Sequence, residues 1–319
     1  MIIPEINDKK RSALYAFRLL AVSLVVMILT FAGMTAEAAP KQKGFATPEE
    51  AVKAFATAMR SNDNKELLAI FGKDEKKLIS SGDPVRDKQR REKFIAEYDS
   101  KNSLAREGKK MVLIIGEKDW PFPIPLIEKG GQWFFDTKAG KEEILNRRIG
   151  ENELDTIQTM LAIVDAEREY AMKDRDKNGL LEYAQKFGSD PGKKNGLYWE
   201  TKEGEEPSPL GELVVKARAE GYTKKSKDKP VPYHGYYYRI LKAQGKNAPG
   251  GAYDYLVNGR MIGGFAVVAY PAGYGNSGVM TFLVNDDGVV YQKDLGQNTK
   301  KIAMAMKKFD PDKAWKKVQ

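Results

Sequence analysis

Between Lys141 and Met172 the chain carries its longest helical pattern, and that segment constrains the fold more than any other. Leu145, Ile149, Leu154, Ile157, Leu161 and Val164 recur at three- to five-residue spacing, which predicts one apolar face of a single helix docked on its own domain. Glu143 and Arg147 sit one turn apart, where opposite charges pair. A helix of this length separates two textures, and the fold class follows from what lies on either side.

Before it, helices come first and strands second. Residues 40–44 read as a polar linker. Thr47-Pro48-Glu49-Glu50 predicts a helix start: Thr47 caps the free amides, Pro48 suits the first turn, and Glu50 completes a capping box. Ala51, Val52, Phe55 and Met59 continue at helical spacing until Ser61-Asn62-Asp63. A second helix is expected from Lys65 to Phe71, closed by Gly72, and a third from Asp87 to Tyr98. Met111 to Ile115 is an apolar strand. Pro121 to Leu126 is an extended stretch that its prolines confine to an edge, and Gly130-Gly131 turns the chain into a strand from Gln132 to Thr137.

After the long helix, thirteen of the fifteen tyrosines fall between Tyr170 and Tyr291, in strand-and-turn sequence. Strands are expected at Tyr236–Leu241, at Tyr253–Val257 and from Arg260 on, with Asn258-Gly259 as a tight hairpin turn. Met261–Tyr270, Val279–Val284 and Val289–Lys293 follow, and Pro311–Val318 is expected to form a short closing helix. The expected class is α+β with two domains: a helix-plus-curved-antiparallel-sheet cone at 45–140 and a long helix plus antiparallel sheet at 141–319.

Residues 1–39 read as a signal peptide. Lys9, Lys10, Arg11 and Arg18 precede an apolar run from Leu19 to Phe31, and Ala36-Glu37-Ala38-Ala39 offers a cut site. The run is short for a membrane span; the alternative is an uncleaved anchor in the inner membrane. Export places the chain in the periplasm or beyond, where ATP and reduced nicotinamide cofactors are lacking. The chain has no cysteine, which excludes disulfides, thiolate metal sites and cysteine nucleophiles. Cleavage would remove one net positive charge from a chain of formal charge +9. Lysines and acids are interspersed, with no basic, aromatic-interleaved motif, so nucleic acid is not an expected partner.

Three groups of residues are candidates for chemistry. Asp174, Asp176, Asn178, Leu180 and Glu182 match the early half of an EF-hand-type calcium loop, with Gly179 at the bend; the twelfth position is Gln185 rather than a bidentate glutamate, and an ordinary turn accounts for the same residues. Asn285, Asp286 and Asp287 offer a second cluster of oxygens that a hairpin turn explains equally well. His234 is the only histidine, so it is the one candidate general acid or base of that type, beside a structural role. In Tyr236-Tyr237-Tyr238, strand alternation puts Tyr236 and Tyr238 on one face and Tyr237 on the other. Gly273 to Gly278 precedes a strand rather than a helix and does not read as a phosphate cradle.

The strings AEREYAMKDRDKNGLLEYAQKFGSDPGKKNGLYWE, PYHGYYYRILKAQGKNAPGGAYDYLVNGRMIGGFAVVAYPAGYGNSGVMTFLVNDDGVVYQKDLG, FDPDKAW and DWPFPIPLIEKGGQWFFDTKAGKEEIL resemble an exported bacterial family known as domain of unknown function 2950. That resemblance implies no activity and no catalytic residues. TPEEAVKAFATAMRSNDNKELLAIF with GGQWFFDTKAG is also similar to the nuclear-transport-factor-2-like cone fold, which often holds a pocket between helices and sheet. The C-terminal half is similar in layout to the soluble part of type IV pilins and pseudopilins, without the prepilin signature. The expected function is a non-enzymatic binding or envelope-associated accessory protein, with an envelope protein or polymer as partner. The alternatives are a carboxylate-based hydrolase acting on envelope glycan, with His234 or an acid as proton donor, and a calcium-stabilised structural module; no other cofactor is expected.

Overall fold

The computed structural model describes residues 42–222 and 230–318. The expected signal peptide lies outside the described residues, as do Pro40 and Lys41 of the linker. Helix α1 (Pro48–Ser61) opens as its capping residues require: Thr47 Oγ1 accepts from the Glu50 amide at 3.1 Å, and the Glu50 carboxylate reaches back to the Ala46 N–H at 3.2 Å. Asn62, at φ +54°, ends it in the left-handed conformation. Helix α2 (Asn64–Phe71) starts on Asp63, whose carboxylate accepts from the Lys65 and Glu66 amides. A single turn, α3 (Lys76–Ile79), leads to α4 (Pro84–Ser100). The cap of α4 is Asp83, so this helix begins three residues before the expected Asp87.

Five strands follow: β1 (Asn102–Glu107), β2 (Lys110–Ile115), β3 (Trp120–Pro121), β4 (Leu126–Lys129) and β5 (Gln132–Phe135). They pair antiparallel in the order β1-β2-β4-β5, with β3 also against β2. In the proline stretch only Trp120 and Pro121 pair, before the chain leaves the sheet and returns at Leu126. The helices pack their apolar faces on this sheet around Phe55, whose ring centroid lies 5.0–5.3 Å from those of Phe71, Phe94, Phe122 and Phe135.

Helix α5 (Thr137–Ala171) then runs for 35 residues. Near its start Gly140 is buried against the backbone of Pro123 and Ile124, where a Cβ would lie 2.1 Å from the Pro123 carbonyl oxygen. Ile144 packs on the first core, while Met160, Ile163, Val164 and Tyr170 belong to a second. The expected apolar stripe is corrected here. Ile157, Leu161 and Val164 face the second core, but Leu154 is 67% exposed, and Arg148, Asn152 and Thr156 are buried instead. The helix bridges two apolar cores, and where it crosses between them its inner face is polar.

The second core is covered by helix α6 (Gly211–Ala219), a five-stranded antiparallel sheet and helix α7 (Thr299–Ala305). That sheet joins β6 (Tyr236–Leu241), β11 (Ala266–Pro271), β12 (Met280–Asn285), β13 (Tyr291–Asp294) and β14 (Lys316–Lys317) in the order β14-β13-β12-β11-β6. Two small ribbons flank it: β7 (Ala243–Gln244) with β8 (Tyr253–Asp254), and β9 (Leu256–Val257) with β10 (Arg260–Met261). The turn of the second ribbon is Asn258-Gly259, both at positive φ, as the dipeptide predicts. Residues 311–318 are not the expected helix. The last helix is α7, and Lys316 and Lys317 pair with Gln292 and Tyr291 at the sheet edge, with the Lys293 ammonium over the Trp315 ring. Helices and antiparallel sheets are segregated along the chain, so the fold is α+β, as expected.

Candidate functional site

The first core is not closed. A cavity of about 730 Å³ opens between α1, α4, the sheet and the start of α5. Phe55, Phe71, Phe94, Ile115, Trp120 and Phe122 form its apolar surface. Its charged wall has six cationic residues, Arg90, Arg91, Lys93, Lys118, Arg147 and Arg148, against four acids, Asp87, Glu97, Asp119 and Glu151.

The fold fixes these arginines by different means. Arg147 pairs with Glu143 at 2.6 Å, as its spacing predicts, and lies over the Trp120 ring at 5.2 Å. Arg91 donates to the side chains of Asn62 and Asn64 and to the Ile79 carbonyl, gathering the ends of three helical segments. Arg148 is buried, at 7% exposure, and donates to the carbonyls of Lys77 and Leu78 and to Asn276 Oδ1 at 2.6–2.7 Å. Arg90 donates to Glu151 at 2.9 Å and to Asn152 Oδ1 at 2.8 Å. Burial pushes the Arg148 guanidinium down to about 10, with Asp87 opposing and Arg90 and Arg91 adding repulsion. That value keeps Arg148 charged at neutral pH.

Behind the cavity wall lies a polar seam between the two cores. Asn152 is fully buried and donates to the Ser277 carbonyl, while Asn276 donates to the Ser80 carbonyl. Arg86 bridges Asp155 at 2.5 Å and Glu151 at 3.1 Å. His234 sits at the end of this chain of charges, 4% exposed and in the left-handed region at φ +51°. Its Nε2 is 2.7 Å from Glu220 Oε2, and the Tyr233 ring stacks on it at 4.0 Å. Its Nδ1 is 3.4 Å from Asp155 Oδ2 but makes no hydrogen bond among the described residues. The two acids lie on opposite ring nitrogens, and His234 is not among the residues lining the cavity. The Tyr222 hydroxyl accepts from the His234 amide and donates to Asp83; burial first, and then the Asp83 charge, push its ionisation up.

The loop from Asp174 to Glu182 is held by protein groups. Asp174 accepts from the amides of Asn178 and Gly179, which explains the Asp-x-x-x-Asn-Gly pattern as a turn. The Asn178 side chain donates to Asp176 and to Glu182, and the Leu180 amide donates to Asn178. Arg260 enters from the Asn258-Gly259 ribbon and binds Asp176 at 2.6 Å and Glu182 at 2.9 Å. Bonds from Arg260 and Asn178 hold the Asp176 carboxyl below the usual carboxylate range. Among the described residues, no three His, Asp or Glu side chains are placed to hold a metal ion. A guanidinium already pairs two of this loop's three carboxylates, so millimolar calcium against chelator is expected to leave the calorimetric melting midpoint unchanged; a rise of several degrees would show an ion displacing Arg260. In the Asn285–Asp287 cluster, Asn285 donates to Asp287, and the Asp286 backbone carbonyl accepts from Arg168 of α5.

The tyrosine triplet alternates as expected. Tyr236 and Tyr238 reach Glu153 and Thr156 of α5, and Tyr237 packs on Tyr270 of the neighbouring strand. The cavity arginines, by contrast, are not singled out by motif. Beyond the Glu143–Arg147 spacing, the one local signal is for Arg148: Ile144, Arg148, Asn152, Thr156 and Met160 stand four residues apart, which marks an inner face with three polar members.

Comparison with known proteins returns one family model, described as Protein of unknown function (DUF2950), which matches residues 42–318. No curated protein and no solved structure matches significantly, and the cone-like and pilin-like likenesses therefore rest on sequence alone.

Proposed function

The chain belongs to the DUF2950 family of proteins of unknown function, and because membership lends it no activity, we propose from geometry that it is a non-enzymatic binding protein whose cavity takes a small molecule with an apolar body. The observation that carries this reading is the open space itself. Protein interiors are packed to crystal density, with few voids larger than a water molecule. A cavity of about 730 Å³ with an aromatic surface lies in the size range of small-molecule sites. The hydrolase alternative draws less support from the same place. Asp87 accepts from Ser80 and Ser81, Asp119 pairs with Lys101, and Glu151 pairs with Arg86 and Arg90, so three of the four acids are committed to the fold. The basic-then-apolar leader supports placing this binding protein outside the cytoplasm, which the mass of the mature amino terminus would test.

Nile red, a neutral apolar dye, tests the cavity. It is expected to bind saturably at one site per chain with blue-shifted emission. Ile144→Trp, which fills the cavity from α5, is expected to weaken that binding by about tenfold or more while preserving the circular dichroism spectrum. Absent binding, or equal binding by the filled variant, refutes the reading.

A further inference from the structure

We infer that helix α7 and the three residues after it form a surface that settles on an anionic lipid bilayer. None of these residues lines the cavity, so the inference stands or falls independently of the binding reading above. From Gly296 to Phe309 the chain reads GQNTKKIAMAMKKF, with four lysines and no acid. Thr299 and Ala303, four residues apart on α7, have no exposed surface and seat the helix against β11. Arg239 of β6 donates to the carbonyls of Ala303 and Met306 and ties down the C-terminal end of the helix. The other side faces outward. Ile302 is 40% exposed and Met304 59%, and exposed lysines stand on both sides of them, Lys300 and Lys301 before, Lys307 and Lys308 after. None of the four lysines forms an ion pair among the described residues. The acids that border the segment are engaged elsewhere: Asp294 accepts from the Gly296 amide and the Tyr274 hydroxyl, Asp310 accepts from the Asn247 amide, and Asp312 pairs with Lys293.

The composition of this surface selects its partner. Protein interfaces are depleted in lysine and enriched in arginine and aromatic residues. Nucleic-acid contacts draw on arginine forks and stacking rings. Residues 299–308 contain neither an arginine nor an aromatic side chain. Lysines around exposed aliphatic side chains suit the boundary of a bilayer instead. There the ammonium groups meet lipid phosphates, the lysine stems lie along the boundary, and Ile302 and Met304 enter it. Charge leads this contact. Two apolar side chains bury less than one fatty-acyl anchor, which by itself holds only marginally. Each lysine near an anionic surface adds about fivefold in affinity, and four acting together outweigh the apolar pair. The contact is peripheral, since no described helix is long and apolar enough to cross a membrane.

The test uses the full chain, which has no cysteine, so Met304→Cys supplies one thiol for the polarity-sensitive dye NBD. Phosphatidylcholine vesicles are titrated in, with and without phosphatidylglycerol as about a third of the lipid. NBD at residue 304 is expected to shift to the blue with the anionic vesicles, not with the neutral ones, and to lose that shift in about 0.5 M sodium chloride. The same dye on Lys129→Cys, at the exposed turn between β4 and β5, is expected to stay unshifted, which separates this contact from any made by the leader. Changing Lys300, Lys301, Lys307 and Lys308 together to Gln in the Met304→Cys chain is expected to raise the lipid concentration at half-maximal shift by about tenfold or more. All four side chains are exposed, so the circular dichroism spectrum is expected to stay the same. Ile302→Ser, a milder change, is expected to raise that concentration by about threefold. Equal shifts with both vesicles, an equal shift at residue 129, or undiminished binding by the glutamine variant overturns the inference. So does a shift with polyglutamate as large as with anionic vesicles, which would make an acidic protein the partner.

Discussion

Asp83→Ala is expected to lower the melting temperature by about 6 °C or more, the largest effect of any single substitution proposed. Asp83 is fully buried, and its four described side-chain bonds join three parts of the chain: the start of α4, Tyr222 and Gly235. Oδ1 accepts from the amides of Val85 and Arg86 and so caps α4. Oδ2 accepts from the Tyr222 hydroxyl at 2.8 Å and from the Gly235 amide at 2.9 Å. Loss of a helix cap costs about 1 kcal/mol, up to about 2. A buried donor left without an acceptor costs about 1–3 kcal/mol, and alanine orphans two of them. The sum is roughly 3–8 kcal/mol, and each kcal/mol moves the midpoint of a domain near this size by about 2–4 °C. Asp83→Asn keeps the capping oxygen but turns an amide toward the Gly235 N–H, so it falls between wild type and alanine. Tyr222→Phe removes one of the four bonds and is expected to cost less than either. Calorimetry of the three variants checks the order; a shift under about 2 °C for alanine would mean that the seam carries no weight in folding.

The position of Asp83 also explains what sequence reading reaches and where it stops. The ends of α1 are written locally, in Thr47, Pro48, Glu50 and Asn62, because caps and left-handed stops are satisfied within one turn. The Asn258-Gly259 turn and the alternation of Tyr236, Tyr237 and Tyr238 are local for the same reason. Strand β1 escaped because Asn-Ser-Leu-Ala-Arg-Glu lies at a sheet edge with mostly exposed side chains, so it carries no burial pattern. The supposed helix at 311–318 failed because its ends are set by pairing with a strand twenty-five residues earlier, which nothing within the segment records.

The candidate site is less legible still. Its apolar surface is drawn from Phe55, Phe94 and Phe122, which read as ordinary core residues until the space between them is seen. Arg90, Arg91 and Arg148 read as solvated charge, since arginines on helices usually are. The surroundings of Arg90 and Arg148 depend on loops from the far half of the chain: Asn276 on Arg148, Ser277 on Asn152, and the Glu220 carbonyl on Gln89. His234 could be singled out by being the one histidine, but its partners Glu220 and Asp155 come from two separate helical segments and no spacing rule joins them. The same contacts make the cavity wall and the seam one structure, because Arg90 and Arg148 are held by groups that also join the two cores.

Stability should fall as pH rises from about 4.5 to about 8, and Glu167→Gln should remove much of that slope. Glu167 lies near the end of α5 with no exposed surface. Its Oε2 accepts from the Ala184 amide at 2.8 Å, and its Oε1 has no hydrogen-bond partner among the described residues. Burial pushes its carboxyl from the ordinary 4.5 up to about 8, the Ala184 bond opposing only in part. The sign follows from proton counting. Below pH 4.5 the carboxyl is protonated in the folded and unfolded chains alike, and the group contributes no slope. Between 4.5 and 8 the folded chain keeps the proton and the unfolded chain releases it, so rising pH favours unfolding by about 1.4 kcal/mol per pH unit. Above 8 both forms are ionised and the loss levels off at several kcal/mol. Glutamine retains a carbonyl oxygen for the Ala184 amide and cannot ionise. The difference in unfolding free energy between wild type and variant, measured in urea at pH 5, 6.5 and 8, isolates this one group from every other titration. The variant is expected to gain on wild type at each step and to be the more stable protein at pH 8. Parallel pH profiles would show that Glu167 finds a partner or solvent when it ionises.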